Sequence, residues 1–126
     1  MNPPESLPAL TLAYIGDAVY ELETRKHMIT QAERNVKDYN AIAFSMVCAS
    51  AQSGAVSKIM PFFTEDEQDI YRRGRNAKSG SAPKSASVEE YRNATGLEAV
   101  FGYLYLDGQY ERIAELFRFI TDDSEI

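Results

Sequence analysis

One cysteine, one histidine and five prolines in 126 residues remove several kinds of protein from consideration. The lone Cys48 cannot close a disulfide within the chain, and in the apolar run MVCASA it is expected as a small buried hydrophobe. Nucleophilic catalysis by it would need His27, the only histidine, and nothing in the sequence brings the two together. His27 itself falls at the end of a helical pattern, where a surface or capping role is expected. The absence of Gly/Ser- or Gln/Asn-rich tracts, with 44% hydrophobic residues, excludes a disordered chain. No stretch approaches the ~18 apolar residues of a spanning helix, and MNPPESLPAL has neither the basic nor the apolar region of a secretory leader. A soluble, cytoplasmic protein with no membrane partner is therefore expected. No segment alternates apolar and polar residues over strand length, which predicts an all-α fold, and the length fits a single domain over residues 1–126.

Positive charge is also scarce. Thirteen Lys and Arg against nineteen Asp and Glu leave a net charge of -6, too negative for wholesale coating of nucleic acid. The bases are unevenly distributed, however. The nineteen residues between Asp69 and Glu89 contain no acid and five bases, Arg72, Arg73, Arg75, Lys78 and Lys84. The stretch GRNAKSGSAPK within them holds Gly, Pro, Asn and Ser residues that favour turns. An exposed basic loop on an acidic protein is expected there.

The remaining sequence reads as helices. Leu10, Tyr14, Ala18 and Leu22 recur at i+4, a helical period, predicting a helix over about residues 7–28. Asn35 is a good N-cap for a segment expected to divide near residues 51–54. Thr64 with Glu67, and Ser87 with Glu90, are capping-box pairs that open helices over about residues 65–73 and from residue 88. Asp107 and Gly108 break the latter before a final helix over about residues 109–120. Tyr14, Tyr20, Tyr91, Tyr103 and Tyr105 are assigned to packing, in the core or at a dimer interface.

Two carboxylates are out of place in this pattern. Asp17 lies in the apolar run LAYIGDAVYEL and Glu98 in TGLEAVFGYLYL, where an ionised group is costly unless paired. A structural ion pair or an outward-pointing side chain would explain each of them. So would a shared divalent cation, because Mg²⁺ takes hard oxygen ligands and is commonly held by one or two carboxylates with waters completing its shell. Gly16, Gly96 and Gly102, each unfavourable in a helix by about 1 kcal/mol relative to Ala, make with Ala13 and Ala99 small faces on which two helices could approach closely and bring the acids together.

At these residues the sequence resembles the ribonuclease III family. AYIGDAVYE is similar to the family's signature segment, and RRGRNAKSGSAPK followed by YRNATGLEAVFGYLYL resembles its short, Mini-ribonuclease III branch. The likeness runs from about residue 10 to 117 and takes in the Gln52 region. It implies the all-helical ribonuclease III endonuclease domain, acting as a homodimer with a catalytic valley across the interface. It also implies Asp17 and Glu98 as catalytic metal ligands for Mg²⁺, with Mn²⁺ as an alternative. The substrate implied is double-stranded RNA, a 23S ribosomal RNA precursor in particular, with a ribosomal protein as a further partner. Additional carboxylates of the longer enzymes would fall on Ala13 and Thr95, as short members also lack them. The longer enzymes' separate RNA-binding domain would have to follow Ile120, so RNA binding is expected from Arg72, Arg73, Arg75, Asn76, Lys78 and Lys84. Rival readings are a non-catalytic relative, against which both retained acids count, and a helical protein-interaction module.

Overall fold

A computed structural model describes residues 2–77 and 87–121. The described residues form six α-helices and two 3-10 turns, with no strand: α1 (Ala9–Gln31), α2 (Val36–Val47), α3 (Ala49–Ile59), α4 (Glu65–Asn76), α5 (Val88–Leu106) and α6 (Tyr110–Thr121), the turns spanning Pro4–Ser6 and Met60–Phe62. The all-α expectation holds, and both predicted capping boxes are formed in full, at Thr64 and at Ser87.

α5 is the central element because it is apolar nearly all round: from Ala94 to Leu104 every residue except Glu98 is buried. A helix of that kind must be surrounded, and α1, α3, α4 and α6 all pack on it. Glycine makes the closest approaches possible. A methyl built on Gly16 of α1 would overlap the backbone carbonyl of Glu98, and one built on Gly102 of α5 would overlap the carbonyl of Leu12. The two helices therefore cross backbone to backbone, antiparallel, with Gly16 opposite Glu98 and Gly102 opposite Leu12. A second crossing sets Gly74 of α4 against Gly96 and Ala99 of α5, with the Tyr71 ring closing over Gly96.

α6 is tied down by a buried ion pair. Glu67 is 1% exposed; it closes the capping box at Thr64 and also accepts two 2.8 Å hydrogen bonds from Arg112. Arg112 further donates to the Phe62 carbonyl and to Glu115. Removing one partner of such a pair leaves an uncompensated buried charge, at a cost of about 3–5 kcal/mol. Arg112→Ala is accordingly expected to lower stability by that amount, and an unchanged denaturation midpoint would contradict it.

The α1 stripe Leu10, Tyr14, Ala18 and Leu22 faces outward, with Tyr14 85% and Leu22 64% exposed, while the interleaved Leu12, Ala13, Gly16, Val19 and Tyr20 face the core. Three expectations are corrected. The break after α2 comes at Cys48, earlier than residues 51–54, and Cys48 is a half-buried N-cap residue rather than a core hydrophobe. Its thiol pKa is lowered, chiefly by the Ser50 hydroxyl at 3.4 Å. α4 runs on to Asn76, so Arg72, Arg73, Arg75 and Asn76 lie on a helix rather than in a loop. Gly74 is there for packing, not for a turn. The rest of the predicted basic loop, with Lys78 and Lys84, lies outside the described residues.

Candidate active site

The Gly16–Gly102 crossing determines where the two suspect carboxylates emerge. Asp17 follows Gly16, whose Cα abuts the Glu98 carbonyl, so both acidic side chains leave the crossing at one edge, Asp17 exposed and Glu98 half-buried. The two carboxyls interact. Burial first, then that interaction and the negative charge of Asp17, push the Glu98 carboxyl up to about 8. Two further residues bear on Glu98: Gln52 of α3, which favours its charged form, and Glu21, one turn along α1 from Asp17, which opposes it. Tyr20, buried with its ring edge-on to Phe101 and Phe117, has its hydroxyl pKa raised by burial and by Glu98.

Two interacting carboxyls, one of them half-buried, suit a divalent cation with oxygen ligands, which would neutralise both at once. Among the described residues no group of three or more His, Cys, Asp or Glu is placed to hold a metal. The described residues thus offer a pair of carboxylates rather than a cage, the arrangement in which Mg²⁺ keeps several waters. The positions where further acids could stand, Ala13 and Thr95, are buried, and the Thr95 hydroxyl is turned back onto the Tyr91 carbonyl.

The proton on Glu98 makes stability depend on pH. A carboxyl whose pKa is about 8 in the fold and near 4.5 ordinarily contributes stability that is fully present below about pH 4.5 and is lost as pH rises through about 8. Each unit of difference is worth about 1.4 kcal/mol, so a loss of several kcal/mol is expected. In a chelating buffer the wild type should therefore lose more thermal stability between pH 5.5 and 9 than Glu98→Gln does. Equal losses in the two proteins would contradict this.

The basic residues divide into different roles. Arg73 donates to the carbonyls of Glu5 (2.8 Å) and Leu7 (2.7 Å) and so pins the N-terminal turn to α4. Arg72 is exposed and pairs with Asp69 at 2.8 Å. Arg75 donates through Nε to Asn93 of α5 at 2.9 Å, and the same Asn93 oxygen accepts from the Tyr71 hydroxyl at 3.1 Å. The Asn93 amide in turn donates to Ser53 of α3 at 3.0 Å. His27 stands ten residues, about 15 Å of helix, from Asp17 and packs edge-on to Phe117; it is outside the site. Sequence reasoning named Gln52 only as a region of the family likeness, with no role, and did not single out Glu21 or Asn93. A glutamine among small and apolar helix residues was the available signal, and it becomes one only when the residue is known to be buried.

An all-helical fold with a carboxylate pair at a glycine crossing agrees with the family comparison: the ribonuclease III domain matches residues 10–109. The chain is 48% identical over 119 residues to a Mini-ribonuclease 3 from Symbiobacterium thermophilum, covering 94% of this chain and 92% of that one. It is 45% identical over 111 residues to a Mini-ribonuclease 3 from a Thermoanaerobacter species, covering 88% and 78%. A crystal structure of a Fusobacterium nucleatum protein superposes with a TM-score of 0.84 at 34% identity, covering 96% of each chain. The chain belongs to the ribonuclease III family and is an endoribonuclease. No helix among the described residues is long and apolar enough to cross a membrane.

Proposed function

We propose that the chain is a metal-dependent endonuclease of double-stranded RNA in which Asp17 and Glu98 hold Mg²⁺, with Mn²⁺ able to replace it. The observation that carries this reading is the Asp17–Glu98 pair itself, two acids from different helices brought against each other at the glycine crossing. A bound ion would supply the positive charge that polarises a scissile phosphate and eases ionisation of water. Asp17, exposed, faces the side from which RNA would arrive; Glu98, half-buried and flanked by Leu97 and Ala99, gives the site its drier wall. Hydrolysis would leave 5′-phosphate and 3′-hydroxyl ends.

The outward stripe of Leu10, Tyr14 and Leu22 borders a groove lined by Leu7, Tyr14, Ile15 and Leu106 together with Asp17 and Glu21. An apolar face of this kind on a charged protein suits an interface; a homodimer here would set two sites on one duplex. Arg72, Arg75 and Asn76 at the end of α4, with Lys78 and Lys84 beyond, would meet phosphates, contacts that position RNA without reading its sequence. Arg73, with two of its donors on the N-terminal carbonyls, is assigned to folding instead. A precursor of 23S ribosomal RNA, in the cytoplasm and with a ribosomal protein bound, is the substrate this reading favours.

The test is incubation of purified protein with end-labelled duplex RNA and with its separate single strands, with Mg²⁺, with Mn²⁺ and with chelator. Cleavage of the duplex alone, abolished by chelator, is expected. Cleavage in chelator, or preference for single strands, would overturn the reading.

A further inference from the structure

Gln52 carries an unmet hydrogen-bonding demand at this site. It is 2% exposed, and its Nε2 is buried with no hydrogen-bond partner, on the helix α3 that packs against α5 and beside Glu98. A buried donor left unsatisfied costs about 1–3 kcal/mol, and Leu or Met would fill the same space on α3 without that cost. The next residue, Ser53, is fixed by Asn93, which Tyr71 and Arg75 hold in turn, so α3, α4 and α5 are locked together beside the Gln52 amide.

We propose that Gln52 is a positioning residue for Glu98: its Nε2 donates to the carboxylate oxygen that faces away from the cation and thereby aims the other oxygen at it. This rests on the reading that Asp17 and Glu98 hold a divalent ion. A carboxylate that holds a cation through one oxygen presents the other as an acceptor, and Gln52 is the buried donor beside it. Donors behind metal ligands orient them, and their loss commonly weakens metal binding roughly 10–100-fold.

The experiment measures binding of Mn²⁺ alone, by electron paramagnetic resonance, to the wild type and to Gln52→Met, which keeps the volume and removes the donor. Gln52→Met is expected to bind roughly 10–100-fold more weakly while melting in chelator no lower than the wild type, since a partnerless buried donor has been removed. Equal Mn²⁺ affinity in the two proteins would overturn the proposal, and so would a fall in melting temperature with affinity unchanged. If Gln52→Met does not fold, the wild type answers through the side-chain amide resonances of Gln52 during a Mg²⁺ titration. A downfield shift tracking the backbone shifts of Asp17 and Glu98 supports the proposal, and no shift while those two respond refutes it. Failure of Asp17 and Glu98 themselves to respond would instead count against the metal-site reading.

Discussion

Asp17→Asn and Glu98→Gln are each expected to slow RNA cleavage by about a thousandfold or more while leaving the helical fold intact. Each substitution keeps the side-chain volume and removes a charged ligand. A metal contributes several kcal/mol of charge stabilisation in phosphoryl chemistry, and each 1.36 kcal/mol is a factor of ten in rate. Neither residue supports the core: Asp17 is exposed, and Glu98 carries a proton at neutral pH, so its amide is close to a like-for-like replacement. Single-turnover cleavage with circular dichroism separates the outcomes. Near-normal rates in both variants, or unfolding of either, would remove these residues from the site.

The second large effect is structural. Gly16→Ala should lower stability by about 3 kcal/mol or more and the melting temperature by on the order of 10 °C, and should reduce cleavage in the protein that remains folded. The added methyl would meet a backbone carbonyl, that of Glu98, which cannot rotate away as a side chain could. The helices must therefore part, loosening Leu12, Val100 and Phe101, and overpacking of even yielding cores costs about 1–3 kcal/mol. Separation of the crossing also pulls Asp17 from Glu98. Gly54→Ala is the control. Gly54 has nothing within 4 Å of a would-be Cβ, so the same change inside α3 should be stabilising by up to about 1 kcal/mol. Similar melting temperatures for the two variants would contradict the close crossing.

The features legible in the sequence were those with local causes. Thr64–Glu67 and Ser87–Glu90 satisfy backbone donors within four residues, so their pattern alone specified two helix starts. Asp17 and Glu98 were conspicuous because a carboxylate in an apolar helix needs a reason. Features that depend on distant partners were not legible. Gly74 reads as a helix breaker until Gly96 and Ala99 are seen against it. Arg73 reads as a phosphate contact until the carbonyls of Glu5 and Leu7, more than sixty residues away, take up its donors. The stripe of Leu10, Tyr14 and Leu22 has the period of a buried face yet points outward, because the smaller residues between its members are what allow α1 to reach α5. Gln52 was hidden for the same reason, since only the packing of α3 on α5 makes its amide a buried one.

The central claim is that Asp17 and Glu98 together hold the catalytic ion, and calorimetric titration of Mg²⁺ into the wild type, Asp17→Asn and Glu98→Gln tests it most directly. Wild-type binding that releases a proton near neutral pH, as the ion displaces the one on Glu98, and that is lost in both variants, is the predicted result. Undiminished binding in either variant would contradict it.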